Sequence, residues 1–190
     1  MASSARSVVI AFGRFNPPTA GHKLLFDYAV SSAHRLGADL IVYPSVSHDT
    51  RSNPLPFAVK VKFLRKLFPR ITFNTNPQIH TPFDAFKDLA NRGYNNLYVV
   101  MGGDERTGDF EKFARYFKQP TERGYDPTKH IPMGYRVLGI PRRNEKTVSG
   151  TAQRARAAQN DFPAFLRGSA DPKRPDVIHD LFTQVRRGMS

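Results

Sequence analysis

The chain of 190 residues contains no cysteine and no tryptophan. The missing cysteine excludes disulfides and thiolate metal sites, and it fits a reducing compartment. No apolar run approaches the roughly 20 residues needed to span a membrane. No charged-then-apolar leader precedes Val8, so no signal peptide is expected. These absences point to a cytoplasmic protein with no membrane partner. Acidic side chains are scarce as well: 16 Asp and Glu stand against 29 Lys and Arg, a formal charge of +13. That excess suits a phosphate-rich ligand, nucleotide or nucleic acid, although a solubilising basic surface would have the same composition.

What is present is enough for a core. Hydrophobic content is 39% and includes 15 Phe. The length is that of one domain. The expected organisation is a single domain over 1–190, with a core over 7–158 and a C-terminal helical extension over 159–190.

One stretch organises the rest. Val8 to Phe12 is an apolar run without polar alternation, which suits a central strand covered on both faces. Gly13 and the Pro17-Pro18 pair end it. A helix follows, with Leu25, Tyr28, Ala29 and Leu36 at helical spacing and Gly37 as a C-terminal stop. A loop from strand end to helix start gathers backbone N–H groups and the positive end of a helix dipole, a combination that favours phosphate.

Further strands are expected at Leu40–Val46, Ile71–Asn74, Leu97–Met101 and Tyr135–Ile140. Helices are expected from Pro56, with Phe57, Val61, Leu64 and Phe68 on one face and Lys60, Lys62, Arg65 and Lys66 elsewhere. Thr81 caps another that starts at Pro82 and carries Phe83, Phe86 and Leu89. More follow over about 109–118, 151–159 and 163–167, and from Pro175. Residues 119–134 read as an irregular loop. The last helix has Val177, Ile178, Leu181 and Val185 on one face, which should dock on the domain and leave Lys173, Arg174, Arg186 and Arg187 outside.

Strands that alternate with helices argue for an α/β fold: a Rossmann-like, doubly wound, five-stranded parallel sheet with helices on both faces. In the order 3-2-1-4-5, strands one and four flank the switch point where ligands bind. Their loops hold Thr19–His22 and Gly102–Asp104, where the sequence turns Gly-rich and polar.

Phe15-Asn16-Pro17-Pro18-Thr19-Ala20-Gly21-His22 resembles the T/H-x-G-H signature of the small nucleotidyltransferases. Those include nicotinamide-mononucleotide and phosphopantetheine adenylyltransferases and the cytidylyltransferases. Val148-Ser149-Gly150-Thr151-Ala152-Gln153-Arg154 is similar to their second motif, I-S-x-T-x-x-R, with Val148 in place of Ile. The two motifs lie about 130 residues apart and each follows a predicted strand, so together they are far more specific than either alone. The likeness covers roughly residues 7 to 158. The first motif, the Ser47-His48-Asp49-Thr50 loop and the Gly-Gly-Asp turn together look most like bacteriophage-borne members, which would work in the host cytoplasm.

The resemblance implies transfer of a nucleoside monophosphate, AMP from ATP ahead of CMP, to a phosphomonoester with release of pyrophosphate. Such an acceptor is already an anion, so catalysis is mostly positioning and charge stabilisation at phosphorus. His22, Thr19 and Arg154 are then the catalytic residues. Gly13, Phe15, Asn16, Gly21, Ser149 and Thr151 are expected at the nucleotide. Arg51 or Lys60 is expected to hold acceptor phosphate. Gly102-Gly103-Asp104 resembles the G-x-D turn of nicotinamide-mononucleotide adenylyltransferases, which places Gly103 and Asp104 at the acceptor. Arg142 and Arg143 either line the same cleft or are surface charges. No protein metal site is expected, because Ser47-His48-Asp49 lacks ligand count and geometry. Mg²⁺ would be held by the nucleotide's own phosphates. Nicotinamide mononucleotide is the preferred acceptor and phosphopantetheine the next. The other reading is a nucleic-acid-binding or virion-associated protein that kept the fold. For the enzyme, non-specific nucleic-acid binding should be weak, and the sequence leaves homo-oligomerisation open.

Overall fold

A computed structural model describes residues 5–101, 133–140 and 148–190. Its strands are β1 (Ser7–Gly13), β2 (Asp39–Pro44), β3 (Thr72–Phe73), β4 (Asn96–Met101) and β5 (Gly134–Gly139). They form one sheet in the order β3-β2-β1-β4-β5, and each neighbouring pair is parallel. The register sets Ile10 of β1 beside Ile41 of β2 and Val99 of β4. The Rossmann-like fold and the strand order expected from the sequence are therefore present.

The helices are α1 (Ala20–Leu36), α2 (Phe57–Leu67), α3 (Pro82–Asn91), α4 (Gly150–Ala158), α5 (Phe162–Arg167) and α6 (Pro175–Met189). Successive β1 side chains point to opposite faces of the sheet. Val8 and Ile10 pack with Ala85, Phe86 and Leu89 of α3, while Val9 and Ala11 pack with Leu25, Phe26 and Ala29 of α1. This two-sided burial is why the first strand reads as an unbroken apolar run.

Several details depart from the sequence reading. The buried face of α1 runs through Leu25, Phe26, Ala29 and Ala33. Leu36, expected on that face, is exposed because the helix is ending there at Gly37, whose φ of 56° is left-handed. Pro56 is the residue before α2 rather than its first residue, since its ψ of 151° is extended. The third strand shrinks to Thr72–Phe73, because β2 offers it partners only at Ile41 and Val42.

The larger correction concerns α2. Lys60, read as part of a basic face, is fully buried. One face of α2 meets the sheet and a second meets α6. Phe63 and Leu67 join Leu55, Ala157, Phe165, Val177, Ile178, Leu181, Phe182 and Val185 in a third apolar cluster. The predicted docking of the last helix is thus observed. Lys173, Arg186 and Arg187 are exposed as expected. Arg174 differs: its Nη1 donates to the Lys66 carbonyl at 2.7 Å, closing the C-terminal end of α2.

The expected helix over 109–118, most of the 119–134 loop, and Gly102, Gly103, Asp104, Arg142 and Arg143 lie outside the described residues. Among the described residues, no helix is long and apolar enough to cross a membrane.

Leu181 is fully buried in the third cluster. Leu181→Ala should lower unfolding stability by about 2–5 kcal/mol, read by urea denaturation. An unchanged midpoint would mean that α6 is only loosely attached.

Candidate active site

The site is built at the C-terminal end of β1. Phe15 takes a positive φ of 46° and is buried. This conformation turns its ring back under the strand, edge-on to His22 at 5.1 Å and tilted against Phe26 at 5.1 Å. Gly13 is what makes the turn feasible. A Cβ there would lie 2.8 Å from the Phe15 ring, closer than packed atoms approach, and the ring has no free space to retreat into. Both residues were expected at the nucleotide; what the structure shows them doing is shaping the turn that follows β1.

Thr19 and His22 form a reciprocal cap at the start of α1. The Thr19 hydroxyl accepts from the His22 N–H at 3.4 Å, and the Thr19 N–H donates to His22 Nδ1 at 3.0 Å. With Nδ1 an acceptor, the ring proton sits on Nε2, which is left to donate. Burial first, and the Arg14 charge second, hold the imidazole down at about 4. Protonation would also cost the bond from Thr19. At neutral pH His22 is therefore an uncharged donor in a fixed orientation. Gly21 occupies the first turn of α1, and among the described residues nothing accepts from its N–H.

Asn16 is buried as well. Its Nδ2 donates to the Leu55 carbonyl at 3.1 Å, and its Oδ1 accepts from the Leu55 N–H at 3.0 Å. The Asn16 backbone carbonyl accepts from Arg154 Nη1 at 2.8 Å. Arg154 Nη2 donates to Thr151 Oγ1 at 3.0 Å. The start of α4 thus comes to rest on the loop after β1. The two sequence motifs meet at this point, which sequence spacing alone could not show.

Ser149 is the N-cap of α4, its Oγ accepting from the Ala152 N–H at 3.1 Å. The hydroxyls of Ser149 and Thr151 both accept from within the chain, so each keeps its O–H to donate outward. A surface lined by such donors and by the first turn of a helix suits an anion.

Arg14, to which sequence reasoning gave no role, belongs here. It is exposed, and its positive charge lowers the pKa of both His22 and Arg154. For Arg154 the larger cause is burial, and the Asp49 carboxylate acts in the opposite direction. The available signal for Arg14 was its place: the one basic residue between strand one and the following helix.

The expected acceptor residues are not all drawn into this cluster. Asp49 ties its own loop, accepting from the backbones of Arg51, Ser52 and Asn53 and from Asn53 Nδ2. Those bonds hold its carboxyl at about 2. Arg51 stands on this loop, exposed, and its guanidinium makes no hydrogen bond or ion pair among the described residues. Lys60 lies inside the protein at the end of β2, donating to the Ser45 carbonyl, and burial pushes its amine down to about 8. Gly103 and Asp104 fall outside the described residues. Among the described residues no group of three or more His, Asp or Glu could hold a metal.

This order of parallel strands, with helices on both faces, defines the Rossmann-like α/β class. No family model matches the chain, and no curated protein matches it. Solved structures do. The bifunctional NMN adenylyltransferase/ADP ribose pyrophosphatase of Francisella tularensis, complexed with AMP and a manganese ion, superposes with a TM-score of 0.60 at 13% identity. A second structure of that enzyme gives 0.58 at 12%. Thermotoga maritima TmcAL bound with alpha-thio ATP gives 0.51 at 12%. These cover 97%, 96% and 97% of this chain, but only 52%, 53% and 57% of the others, so the chain spans about half their length. At such identities the likeness is one of fold.

The pKa of His22 has a direct test. The ordinary value is 6.5 and the folded value about 4, so between them the unfolded chain binds more protons than the native one. This group's contribution to stability is complete above pH 6.5 and is lost as the pH falls toward 4. The His22 ring resonances should stay those of neutral imidazole, with the proton on Nε2, from pH 8 down to about 5. Arg14→Gln should raise the midpoint. Titration near 6.5 in the unsubstituted protein would contradict the buried neutral donor.

Proposed function

We propose that this protein is a nucleotidyltransferase that moves AMP from ATP to a phosphomonoester and releases pyrophosphate. The observation that carries the reading is the seating of the start of α4, with Arg154, Ser149 and Thr151, on the β1–α1 loop, whose cap leaves His22 Nε2–H to donate. Nicotinamide mononucleotide is the acceptor we favour, on the Gly102-Gly103-Asp104 motif of the sequence, and the fold shared with the Francisella tularensis enzyme supports that choice. The likeness to bacteriophage-borne enzymes belongs to the same reading, as does a place in NAD synthesis.

An oxygen of the acceptor phosphate attacks the α-phosphorus. The bond from that phosphorus to the bridging oxygen breaks, and pyrophosphate leaves with the electron pair. Since the attacking oxygen is already ionised, no base is required. His22 donates from Nε2 to the phosphates without changing its own charge. Arg154 and Arg14 offset the negative charge that moves onto the leaving group, and the Gly21 N–H and the start of α4 add fixed dipoles. These donors are oriented before substrate arrives, so little reorganisation is needed as charge shifts. A divalent cation, Mg²⁺ by preference, would be carried on the nucleotide phosphates and neutralise part of their charge. The donor set fits that arrangement: the Asp49 carboxylate is already occupied by its own loop, and the cleft residues named above are cations and hydrogen-bond donors.

The defining experiment is a pyrophosphate-release screen of ATP and CTP against a panel of phosphomonoesters. ATP with nicotinamide mononucleotide should give the strongest signal. His22→Ala should lower kcat by about a hundredfold or more with little loss of stability above pH 6.5, the size of one transition-state donor. Arg154→Ala should raise KM for the triphosphate and lower turnover. Near-normal kcat in His22→Ala would remove that residue from the mechanism.

The +13 charge favours one other reading, a nucleic-acid binder. Exposed Lys173, Arg186 and Arg187 lie on the last segment of the chain. Replacing all three with Gln should leave pyrophosphate release almost unchanged, and binding to random DNA should be weak and salt-sensitive. Sub-micromolar DNA affinity at physiological salt, with no release on any acceptor, would favour the binder.

A further inference from the structure

We infer that the C-terminal helix α6 is a positioning element for Arg154, acting through Pro54, Leu55 and Asn16. The inference rests on the proposed role of Arg154 at the triphosphate and goes beyond it. Each step is a close contact. At Gly188, near the end of α6, a Cβ would collide with the Pro54 carbonyl, so the helix lies directly on that backbone. Leu55 is fully buried in the cluster that holds Val177, Ile178, Leu181, Phe182 and Val185. The Leu55 backbone takes both ends of the Asn16 amide, at 3.0 and 3.1 Å. The Asn16 carbonyl then fixes Arg154 at 2.8 Å.

The same helix supports the other end of that last bond. Ala157 of α4 and Phe165 of α5 belong to the α6 cluster. Gln153, fully buried on α4 next to Arg154, donates to the Phe165 carbonyl at 2.7 Å. So α6 underlies both the helix that carries the guanidinium and the loop that receives it. A third contact reaches the first motif: the Ala20 N–H donates to the Gly168 carbonyl at 3.2 Å, and Thr19 pairs with Ser169. The last segment of the chain, which lies beyond both sequence motifs, is therefore tied to the starts of both α1 and α4.

A guanidinium can contribute to catalysis only if it is held where charge develops, and displacement by about 1 Å is enough to cost a large factor in rate. Asn16 is accordingly a positioning residue, because its amide faces Leu55 and its carbonyl faces Arg154. Gly188 is the distant end of the same path.

The test is a double-mutant cycle on KM for ATP. Asn16→Ala removes the Leu55 bonds, and Gly188→Leu lifts the end of α6 from Pro54. Each should raise KM for ATP by about tenfold, and each should lose most of that effect in an Arg154→Ala background. Equal factors in both backgrounds, or unchanged KM in a folded variant, would overturn the inference. Hydrogen exchange gives a second readout that needs no turnover. In Gly188→Leu, amides at 55 and 150–154 should exchange faster while β1 and β4 stay protected. In the unsubstituted protein, inorganic tripolyphosphate should slow exchange at 55 and 181–188 as well as near Arg154, because coupling is reciprocal. Changes confined to α6 in the variant, or to α4 with tripolyphosphate, would refute the path. A protein that binds no tripolyphosphate and releases no pyrophosphate would instead refute the triphosphate role, and the exchange pattern of Gly188→Leu would still decide the positioning.

Discussion

The amide of Asn16 joins parts of the chain that are far apart in sequence. It is buried, so its donor and acceptor must both be satisfied, and leaving either unpaired would cost about 1–3 kcal/mol. The Leu55 backbone satisfies both at once, as a neighbouring strand would. That pairing fixes the loop after β1 against the start of α2. Once the loop is fixed, its carbonyl has one direction, and Arg154 is drawn to it. Through that bond the start of α4 is seated on the loop after β1, while α6 packs against Leu55 from the other side.

The electrostatics of the site follow from where the cations are placed. Burial first and the Arg14 charge second lower the proton affinity of both Arg154 and His22. A charged His22 would add a third positive group to a partly dry site. Burial and the bond from Thr19 instead keep the ring neutral, so it supplies a directed N–H rather than more repulsion. Two cations held together are costly without an anion and favourable with one, since an anion between them turns repulsion into shared attraction. Asp49 moderates the field at Arg154 without pairing with it, because its oxygens are held by its own loop.

Much of this was legible in the sequence because it is local or periodic. The apolar run at Val8–Phe12 marked the central strand, alternation of strands with helices marked a parallel α/β sheet, and the order 3-2-1-4-5 was the one that set both Gly-rich polar loops at the switch point. The Thr19–His22 spacing is that of a capping box, and Ser149 is a plain N-cap. Lys60 was not legible, since α2 has two buried faces, and a second face becomes visible only when α6 is seen to cover it. Gly13 and Phe15 read as ligand contacts from the motif, whereas a positive φ at Phe15 explains both without a ligand. Arg14 could have been weighed from its position at the strand end. The Asn16–Leu55 pairing could not have been found at all, because nothing in either residue type specifies the other.

A Rossmann-like sheet serves many chemistries, so the functional argument has to come from the site. The decisive property is the direction of its hydrogen bonds. Ser149 and Thr151 each accept from the chain, at Ala152 and Arg154, and are left with O–H to donate. His22 accepts at Nδ1 and donates at Nε2. The guanidinium groups can only donate, and so can the Gly21 N–H. A ligand that itself offers hydrogen-bond donors would meet few acceptors here and lose its solvation without compensation. A tetrahedral anion offers acceptor oxygens in several directions at once. Donors of four kinds at and between two helix starts therefore suit phosphate better than neutral polar groups, which is the physical basis of the proposed reading.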